Sequence, residues 1–148
     1  MQLRYKENPD ITAVQVANLR EAVGWDRREE QIRRILGRTY FHAGCFHDDS
    51  LIGYVDVFSD GVEDAFLRDL MVHPDFQRRG VGLHLVAMAR DRVKRDGIKM
   101  LNTLFDPRLA GFYRKSGFHI MCGGLIDNDP PVSSEGETEL TTQPRRMG

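Results

Sequence analysis

The chain has 148 residues, and its 21 Lys and Arg nearly balance its 22 Asp and Glu, so the formal net charge is −1. This length fits one domain with its own core, and the balanced charge argues against a general electrostatic grip on nucleic acid or on a membrane surface. No apolar run approaches the ~20 residues of a membrane span, and the N-terminus has no signal-peptide core, so we expect a cytoplasmic protein. Cys45 and Cys122 stand far apart in apolar surroundings, which predicts reduced core thiols.

Two short helices are predicted after a first strand. Residues 12–15, Thr-Ala-Val-Gln, have the pattern of a capping box, and Gly24 provides a left-handed stop. A second capping box is predicted at residues 26–29, Asp-Arg-Arg-Glu, and Gly37 ends the helix that it opens.

An antiparallel meander of three strands is predicted next. Alternation of apolar and polar residues begins at Thr39, residues 48–50 form a turn, and residues 51–58 form the second strand. Residues 59–61, Ser-Asp-Gly, turn the chain again into a third strand at 65–72.

The second half of the chain alternates helices with short strands. A loop at residues 77–82 leads into a helix that stops at 96–97, Asp-Gly, and residues 98–104 form a strand. An Asp-Pro pair opens a helix over residues 106–117, and the last strand is predicted at 118–122.

The resulting order β-α-α-β-β-β-α-β-α-β predicts an α/β protein, in the sense of an α+β mixed sheet with helices on both faces. We assign one domain to residues 1–126 and expect the polar remainder, residues 127–148, to be flexible. The remainder offers only a weak strand candidate at 137–142, so the edge of the sixth strand is expected to be open, which makes a homodimer possible.

The most informative segment joins a strand to a helix over residues 70–82. Such a junction points several backbone N–H groups at one spot, and the helix dipole adds partial positive charge, so it can hold a phosphate or pyrophosphate. Gly80 and Gly82 allow a ligand close to the backbone, and Arg78 and Arg79 can bind a phosphate in bidentate fashion. The Lys-Ser/Thr ending of a P-loop and the three-glycine dinucleotide pattern are missing. The alternative is a tight turn with solvated arginines.

Three motifs follow one another in the second half of the chain: L-x-V-x-P at 70–74, Q-x-x-G-x-G at 77–82 and F-Y-x-x-x-G-F at 112–118. With the element order over residues 1–122, they resemble the GNAT superfamily of acyl-coenzyme A-dependent N-acetyltransferases. The resemblance implies acetyl-coenzyme A as cosubstrate and a sheet that is splayed between strands 4 and 5. It also implies a bulge in strand 4, which frees backbone groups from the ladder.

The same resemblance implies that backbone groups of Leu70 and Val72 pair with the pantetheine arm. It also implies that an N–H near Met71 or Val72 stabilises the negative charge that forms on the thioester carbonyl oxygen, the oxyanion, during acetyl transfer. Asp106 stands where many members have an Asn that contacts the pantetheine, although an Asp there is also a good N-cap for Pro107. The pyrophosphate is expected to bind the run Gln77, Arg78, Arg79, Gly80, Val81, Gly82 and Leu83.

Tyr113 matches the general acid of the family. Attack of a neutral amine on a thioester releases a thiolate with a parent pKa of ~8.5, and a tyrosine with a pKa of ~10 can protonate it. The alternative for Tyr113 is a helix aromatic that only packs and forms a hydrogen bond.

No residue is assigned as the general base. Phe66 stands where members with a carboxylate base often place it, and the nearby Glu63 and Asp64 are predicted turn residues. A chain of water molecules is therefore an alternative to any one base. The five histidines show no metal-ligand spacing, so no metal is expected.

Two charged residues of the fourth strand bear on the same question. Strand alternation predicts Arg68 on the same face as Phe66 and Leu70, and Asp69 on the opposite face. Arg68 is then expected to repel a cationic amine unless another group pairs with it, because Asp69 cannot neutralise it across the sheet.

The predicted function is an acetyl-coenzyme A-dependent N-acetyltransferase that acts on a primary amine by direct attack in a ternary complex. The acceptor is a small molecule or a peptide, and neither nucleic acid nor membrane is expected as a partner. Two alternatives stay open: a catalytically silent coenzyme A-binding or regulatory module, and a protein lysine or N-terminal acetyltransferase. A covalent acyl-cysteine is disfavoured, because neither cysteine lies on the segment predicted to face the thioester.

Overall fold

A computed structural model of the chain describes residues 2–129. The strands in this part are β1 (Leu3–Glu7), β2 (Phe41–His47), β3 (Ser50–Ser59), β4 (Asp64–Val72) and β5 (Met100–Thr103). The α-helices are α1 (Ala13–Ala22), α2 (Glu29–Ile35), α3 (Val81–Arg95) and α4 (Ala110–Lys115), with short 3-10 turns at Pro74–Phe76 and Pro107–Leu109. The mixed α/β fold class is confirmed, and so is the predicted element order as far as α4.

The five strands form one sheet in the order β1-β2-β3-β4-β5. The first three pairings are antiparallel, and β4 pairs with β5 in parallel. One core packs α3 against one face of the sheet, through residues such as Leu67 and Leu85. A second core packs α1 and α2 against the other face, around Val16, Tyr54 and Met71. Helices thus cover both faces, as predicted.

The first capping box is confirmed. The Thr12 hydroxyl accepts a hydrogen bond from the Gln15 N–H at 3.1 Å, and the Gln15 side chain accepts one from the Thr12 N–H at 2.8 Å. The second box is wrong, because Arg28 rather than Asp26 occupies the N-cap of α2, with φ +48° and no side-chain cap. The Asp26 carbonyl instead accepts a 2.6 Å hydrogen bond from Arg20 Nε, which holds this loop against α1.

The predicted bulge and splay of β4 are both present. Tyr54 pairs with Met71 and Asp56 pairs with Arg68, so two residues of β4 lie opposite a single residue of β3. The ladder with β5 covers only the first part of β4 and ends where Leu67 pairs with Thr103. Beyond that point the C-terminal half of β4 has no neighbour on the β5 side within the described sheet.

The sixth strand predicted at residues 118–122 does not form. Phe118 and Ile120 pack against the core, but Met121 is 80% exposed and the segment joins no ladder of the described sheet. The apolar run is short and lies between Gly117 and a Gly-Gly pair at 123–124, which weakens strand pairing.

Only one of the two cysteines is a core thiol. Cys45 is buried, whereas Cys122 is exposed, which corrects the prediction for the second one. Most of the predicted flexible tail, residues 130–148, lies outside the described residues. No helix within residues 2–129 has the length and apolar character needed to cross a membrane.

Candidate active site

The centre of the site is the gap that opens where β4 leaves β5. His73 N donates to Ile52 O of β3 at 2.8 Å, so in an antiparallel ladder the backbone groups of the preceding residue, Val72, point to the other edge. Met71 is the paired partner of Tyr54, and its backbone faces β3. Of the two N–H donors predicted for the oxyanion, only that of Val72 therefore faces the gap.

Gln77 closes one end of this gap. Its side-chain amide donates to the Val72 carbonyl at 3.0 Å, so it binds the exposed edge of β4 instead of pointing outward from the loop. A carbonyl oxygen has a second lone pair, which leaves Val72 able to accept from a ligand as well.

The N-terminus of α3 lies beside the end of β4. Gly80 is its N-cap in the left-handed conformation, with φ +81°, and no side chain caps the helix. The first intrahelical bond runs from His84 N to Gly80 O, so the N–H groups of Val81, Gly82 and Leu83 have no partner within the helix. These three donors lie within the run that the sequence predicts to bind the pyrophosphate, and that binding stays a prediction.

A close approach at Gly82 brings three elements together. A Cβ atom added there would lie 3.2 Å from the ring of Phe112 on α4 and 3.7 Å from Val72 Cγ2. Arg79 lies with its guanidinium 5.7 Å from the ring centroid of Phe76, and Arg78 adopts φ +62°. The loop is thus tightly packed on its inner side and carries its two arginines at the surface.

Tyr113 lies at the end of the sheet where β4 and β5 separate. Its ring stacks on Phe105, two residues beyond the end of β5, with centroids 4.3 Å apart. Phe112 and Phe118 contact the same ring edge-on. The side chain is fully buried, and its hydroxyl has no hydrogen-bond partner among the described residues. Burial raises the pKa of Tyr113 well above its ordinary value, so the phenol stays protonated.

Asp106 acts as a helix cap in the structure. Its carboxylate accepts from the Arg108 N–H at 2.8 Å and pairs with the Arg108 guanidinium at 2.7 Å. These hydrogen bonds lower the pKa of Asp106 to about 2. The structure thus shows the N-cap role, and the contact with pantetheine stays a prediction.

The predicted faces of β4 are partly wrong, because the bulge changes the alternation. Leu70 packs with Leu67 in the α3 core, whereas Arg68 lies over the Phe58 ring on the other face. Asp69 and Leu70 point to different faces of the sheet, as predicted. Because Leu70 faces α3, Asp69 shares the other face with Arg68, and its carboxylate lies 3.7 Å from the Arg68 guanidinium.

Arg68 is consequently paired rather than free to repel an amine. Its guanidinium forms two 3.1 Å hydrogen bonds with the Asp56 carboxylate, which also accepts one from the Tyr54 hydroxyl at 2.8 Å. Burial raises the pKa of Asp56, and Arg68 opposes that shift. Sequence reasoning missed Tyr54 and Asp56, although an Asp inside an otherwise apolar strand was a usable signal.

An open groove of about 500 Å³ lies at the start of β4 and β5, on the side of Phe66. Phe58 and Phe66 give it an aromatic wall, and Asn102 donates to the Asp64 carboxylate at 3.2 Å beside them. Arg38 lines the groove from the loop before β2. Asp64 is the first residue of β4 rather than a turn residue.

The residues around the gap fit a coenzyme A thioester. The unpaired N–H groups at the start of α3 suit a pyrophosphate, and the free edge of β4 suits the amide groups of a pantetheine arm. The ring of Tyr113, whose buried hydroxyl has no partner among the described residues, contacts Phe112, and Phe112 packs against Gly82 at the start of α3. No group of three or more potential metal ligands occurs in the part of the chain that the structure describes.

Comparison with known proteins gives a consistent result. The Acetyltransferase (GNAT) family matches residues 9–118. The uncharacterized N-acetyltransferase ycf52 from Gracilaria tenuistipitata var. liui is 28% identical over 116 residues, which cover 75% of this chain and 64% of that protein. The match thus spans a little under two thirds of this relative's length.

Solved structures show the same fold. A GNAT family acetyltransferase, SP0256 from Streptococcus pneumoniae TIGR4, has a TM-score of 0.72 and 28% identity, and covers 86% of this chain and 98% of its own. The aminoglycoside N-acetyltransferase AAC(6')-Iy, solved in complex with CoA, has a TM-score of 0.65 at 16% identity and covers 86% and 95% of the two chains. At that identity the second likeness concerns the fold alone.

Proposed function

Because the chain belongs to the acetyltransferase (GNAT) family, we propose that it transfers an acetyl group from acetyl-coenzyme A to a primary amine by direct attack in a ternary complex. The observation that carries the proposal is the junction of three features at one end of the sheet. These are the free edge of β4 at Val72, the uncapped start of α3, and the unpartnered hydroxyl of Tyr113.

The chain's own residues bind and orient the thioester. The N–H groups of Val81, Gly82 and Leu83 hold the pyrophosphate, with Arg78 and Arg79 at the rim of the loop. The edge of β4 orients the pantetheine arm, and the Val72 N–H stabilises the oxyanion, a contribution of about 10²–10³ in rate for such a donor. Acetyl-coenzyme A supplies an activated acyl group whose leaving group is a thiolate.

Tyr113 holds the proton that the thiolate needs. Because burial raises its pKa, the phenol is protonated at every pH at which the enzyme is expected to work, and it is a donor without a competing acceptor. A positioned general acid contributes about 10²–10⁴ in rate.

The acceptor amine enters from the groove beside Phe58 and Phe66. No carboxylate stands on β4 at the position of Phe66, Asp56 and Asp69 are held by arginines, and Asp64 accepts a hydrogen bond from Asn102. We therefore propose that water removes the amine proton. The aromatic wall and the Asp64 carboxylate suit a cationic acceptor with an apolar body.

One observation favours the silent coenzyme A-binding module as a second candidate. The Tyr113 hydroxyl is fully buried in the structure, so a thiolate reaches it only if the gap opens. The module would bind coenzyme A and release no thiol.

A screen of amines with thiol release as its readout tests the proposal. The panel includes a polyamine, an arylalkylamine, an aminoglycoside, an amino acid and a peptide with a free lysine and N-terminus, each with acetyl-coenzyme A. The proposal expects amine-dependent thiol release with at least one of them. Coenzyme A binding by calorimetry without thiol release across the panel would instead support the silent module, and release with the peptide alone would support a protein acetyltransferase.

A further inference from the structure

The bulge of β4 contains a residue in an unusual conformation. Asp69 and Leu70 together lie opposite Val55, and Asp69 has φ +52°, in the left-handed region that L residues rarely adopt. Asp is among the residues that tolerate this conformation best. Contacts elsewhere in the fold must nevertheless stabilise it, because a left-handed conformation is unfavourable for any residue with a side chain.

A buried ion pair holds Asp69 to helix α1. Arg20 Nη1 lies 3.2 Å from Asp69 Oδ2, and the two residues are only 3% and 6% exposed. Arg20 is fixed in turn, since its Nε donates to the Asp26 carbonyl at 2.6 Å and its guanidinium lies 5.2 Å from the centroid of the Trp25 ring. The bulge is thereby tied to α1 and to the loop that follows it.

The pair belongs to a balanced cluster of four charges. Arg68 lies 3.7 Å from Asp69 and forms the bidentate pair with Asp56 described above. The two guanidinium groups and the two carboxylates sum to zero, so removal of any one of them leaves an uncompensated buried charge.

The position of this cluster links it to the reaction. The ladder with β5 ends at Leu67, and the bulge begins two residues later, at Asp69. The bulge determines that Leu70 faces the α3 core while the Val72 N–H faces the gap. A change of the backbone at Asp69 would therefore shift the oxyanion donor and the edge that orients the pantetheine arm.

We propose that Arg20 and Asp69 are positioning residues of the acetyl transfer, which fix the bulge of β4 and through it the place of the Val72 donor. The inference rests on the proposed function. Neither side chain reaches the gap, because both are buried between α1 and the opposite face of β4. Asp69 accordingly acts through the backbone and not as a base.

The test compares Asp69→Ala and Arg20→Met with Val16→Ala, a buried residue of α1 outside the cluster that serves as the control for lost stability. We expect kcat to fall by about 10²-fold in the first two, the loss associated with misplacing a reacting group by about 1 Å. Affinity for coenzyme A, measured by calorimetry, should fall with it. Val16→Ala should lower the stability of the fold but keep the kcat and the coenzyme A affinity of the wild type.

Two further variants separate positioning from chemistry and from simple misfolding. Asp69→Asn tolerates the left-handed conformation and keeps an acceptor for Arg20, so it should lose less than Asp69→Ala. The double variant Arg20→Met with Asp69→Gly removes both charges and leaves a residue that adopts φ +52° freely. It should fold and still show a lower kcat, because its bulge is no longer fixed.

The proposal is overturned if the double variant has the kcat and the coenzyme A affinity of the wild type. It is also overturned if Asp69→Asn loses as much kcat as Asp69→Ala, because the carboxylate would then be needed chemically. The binding measurement distinguishes this failure from that of the proposed function: an inactive protein whose coenzyme A affinity still depends on Arg20 and Asp69 refutes the transfer but keeps the positioning role.

Discussion

The phenol of Tyr113 stacks on the ring of Phe105 at a centroid distance of 4.3 Å, while its hydroxyl has no hydrogen-bond partner among the described residues. A buried polar atom without a partner costs stability. The ring of Tyr113 therefore stabilises the fold through its packing, whereas its hydroxyl oxygen contributes no stabilising hydrogen bond. This separation makes Tyr113 a favourable position for testing a catalytic role.

Tyr113→Phe should lower kcat by about 10²–10³ with little change in KM for acetyl-coenzyme A, because it removes only the proton donor. Stability should be unchanged or slightly higher, since no hydrogen bond is lost. Steady-state kinetics and thermal unfolding measure the two effects. Tyr5→Phe is the matched control, because Tyr5 lies on β1 at the far edge of the described sheet and does not line the acceptor groove. Equal kcat in the wild type and Tyr113→Phe would remove Tyr113 as the acid.

Gly82→Asp should abolish coenzyme A binding, because a negative charge would stand where the pyrophosphate is expected. The structure adds a steric effect, since the new Cβ meets the Phe112 ring at 3.2 Å. Gly82→Asn has nearly the same size without the charge and controls for that contact. Calorimetry should show a much larger loss for Asp than for Asn. Equal affinities in two folded variants would contradict the pyrophosphate assignment.

The sequence predicted those parts of the fold that depend on local signals. The Thr12 capping box, the turns of the meander and the strand-to-helix loop at 77–82 all follow from residues close to each other in the chain. The N-cap at Arg28 did not follow, because a contact between Arg20 and the Asp26 carbonyl decides it. The prediction of a sixth strand was wrong because strand formation also requires hydrogen bonds to the edge of a neighbouring strand, which the residues of the segment do not determine.

The candidate site shows the same division. The family motifs located Val72, Gly82 and Tyr113, which the structure brings to one end of the sheet. The pairing of Arg68 could not be predicted, since its partner Asp56 lies on another strand and the bulge at Asp69 shifts every later residue of β4.

Asp106→Asn should lower stability at neutral pH and leave coenzyme A affinity unchanged, because the carboxylate is committed to Arg108. The folded pKa of about 2 lies below the unfolded value of ~3.9, so the stabilisation is present above pH ~4 and is lost as the pH falls toward 2. Urea unfolding of both proteins between pH 3 and 7 should show a stability difference that narrows as the pH falls. A change of coenzyme A affinity in either direction would support Asp106 as a contact to the cosubstrate.

The pH dependence of kcat/KM should follow the deprotonation of the acceptor amine and not that of a basic side chain of the protein. With Phe66 in place of a carboxylate, kcat/KM should rise with pH toward the amine's own pKa, ~10 for a lysine-like group. The raised pKa of Tyr113 keeps the acid protonated over this range. Glu63→Gln should retain most activity. A plateau near pH 7 for an amine of high pKa, or a steep loss in Glu63→Gln, would reveal a base among the side chains.

The most direct measurement follows the acetyl group itself. The protein is incubated with acetyl-coenzyme A that carries ¹³C in the acetyl group and with the best amine of the screen, and both products are quantified by mass spectrometry. The account predicts one labelled N-acetyl group for each coenzyme A released, with both products reduced together in Tyr113→Phe. Release of coenzyme A without an acetylated amine would contradict direct transfer to the acceptor.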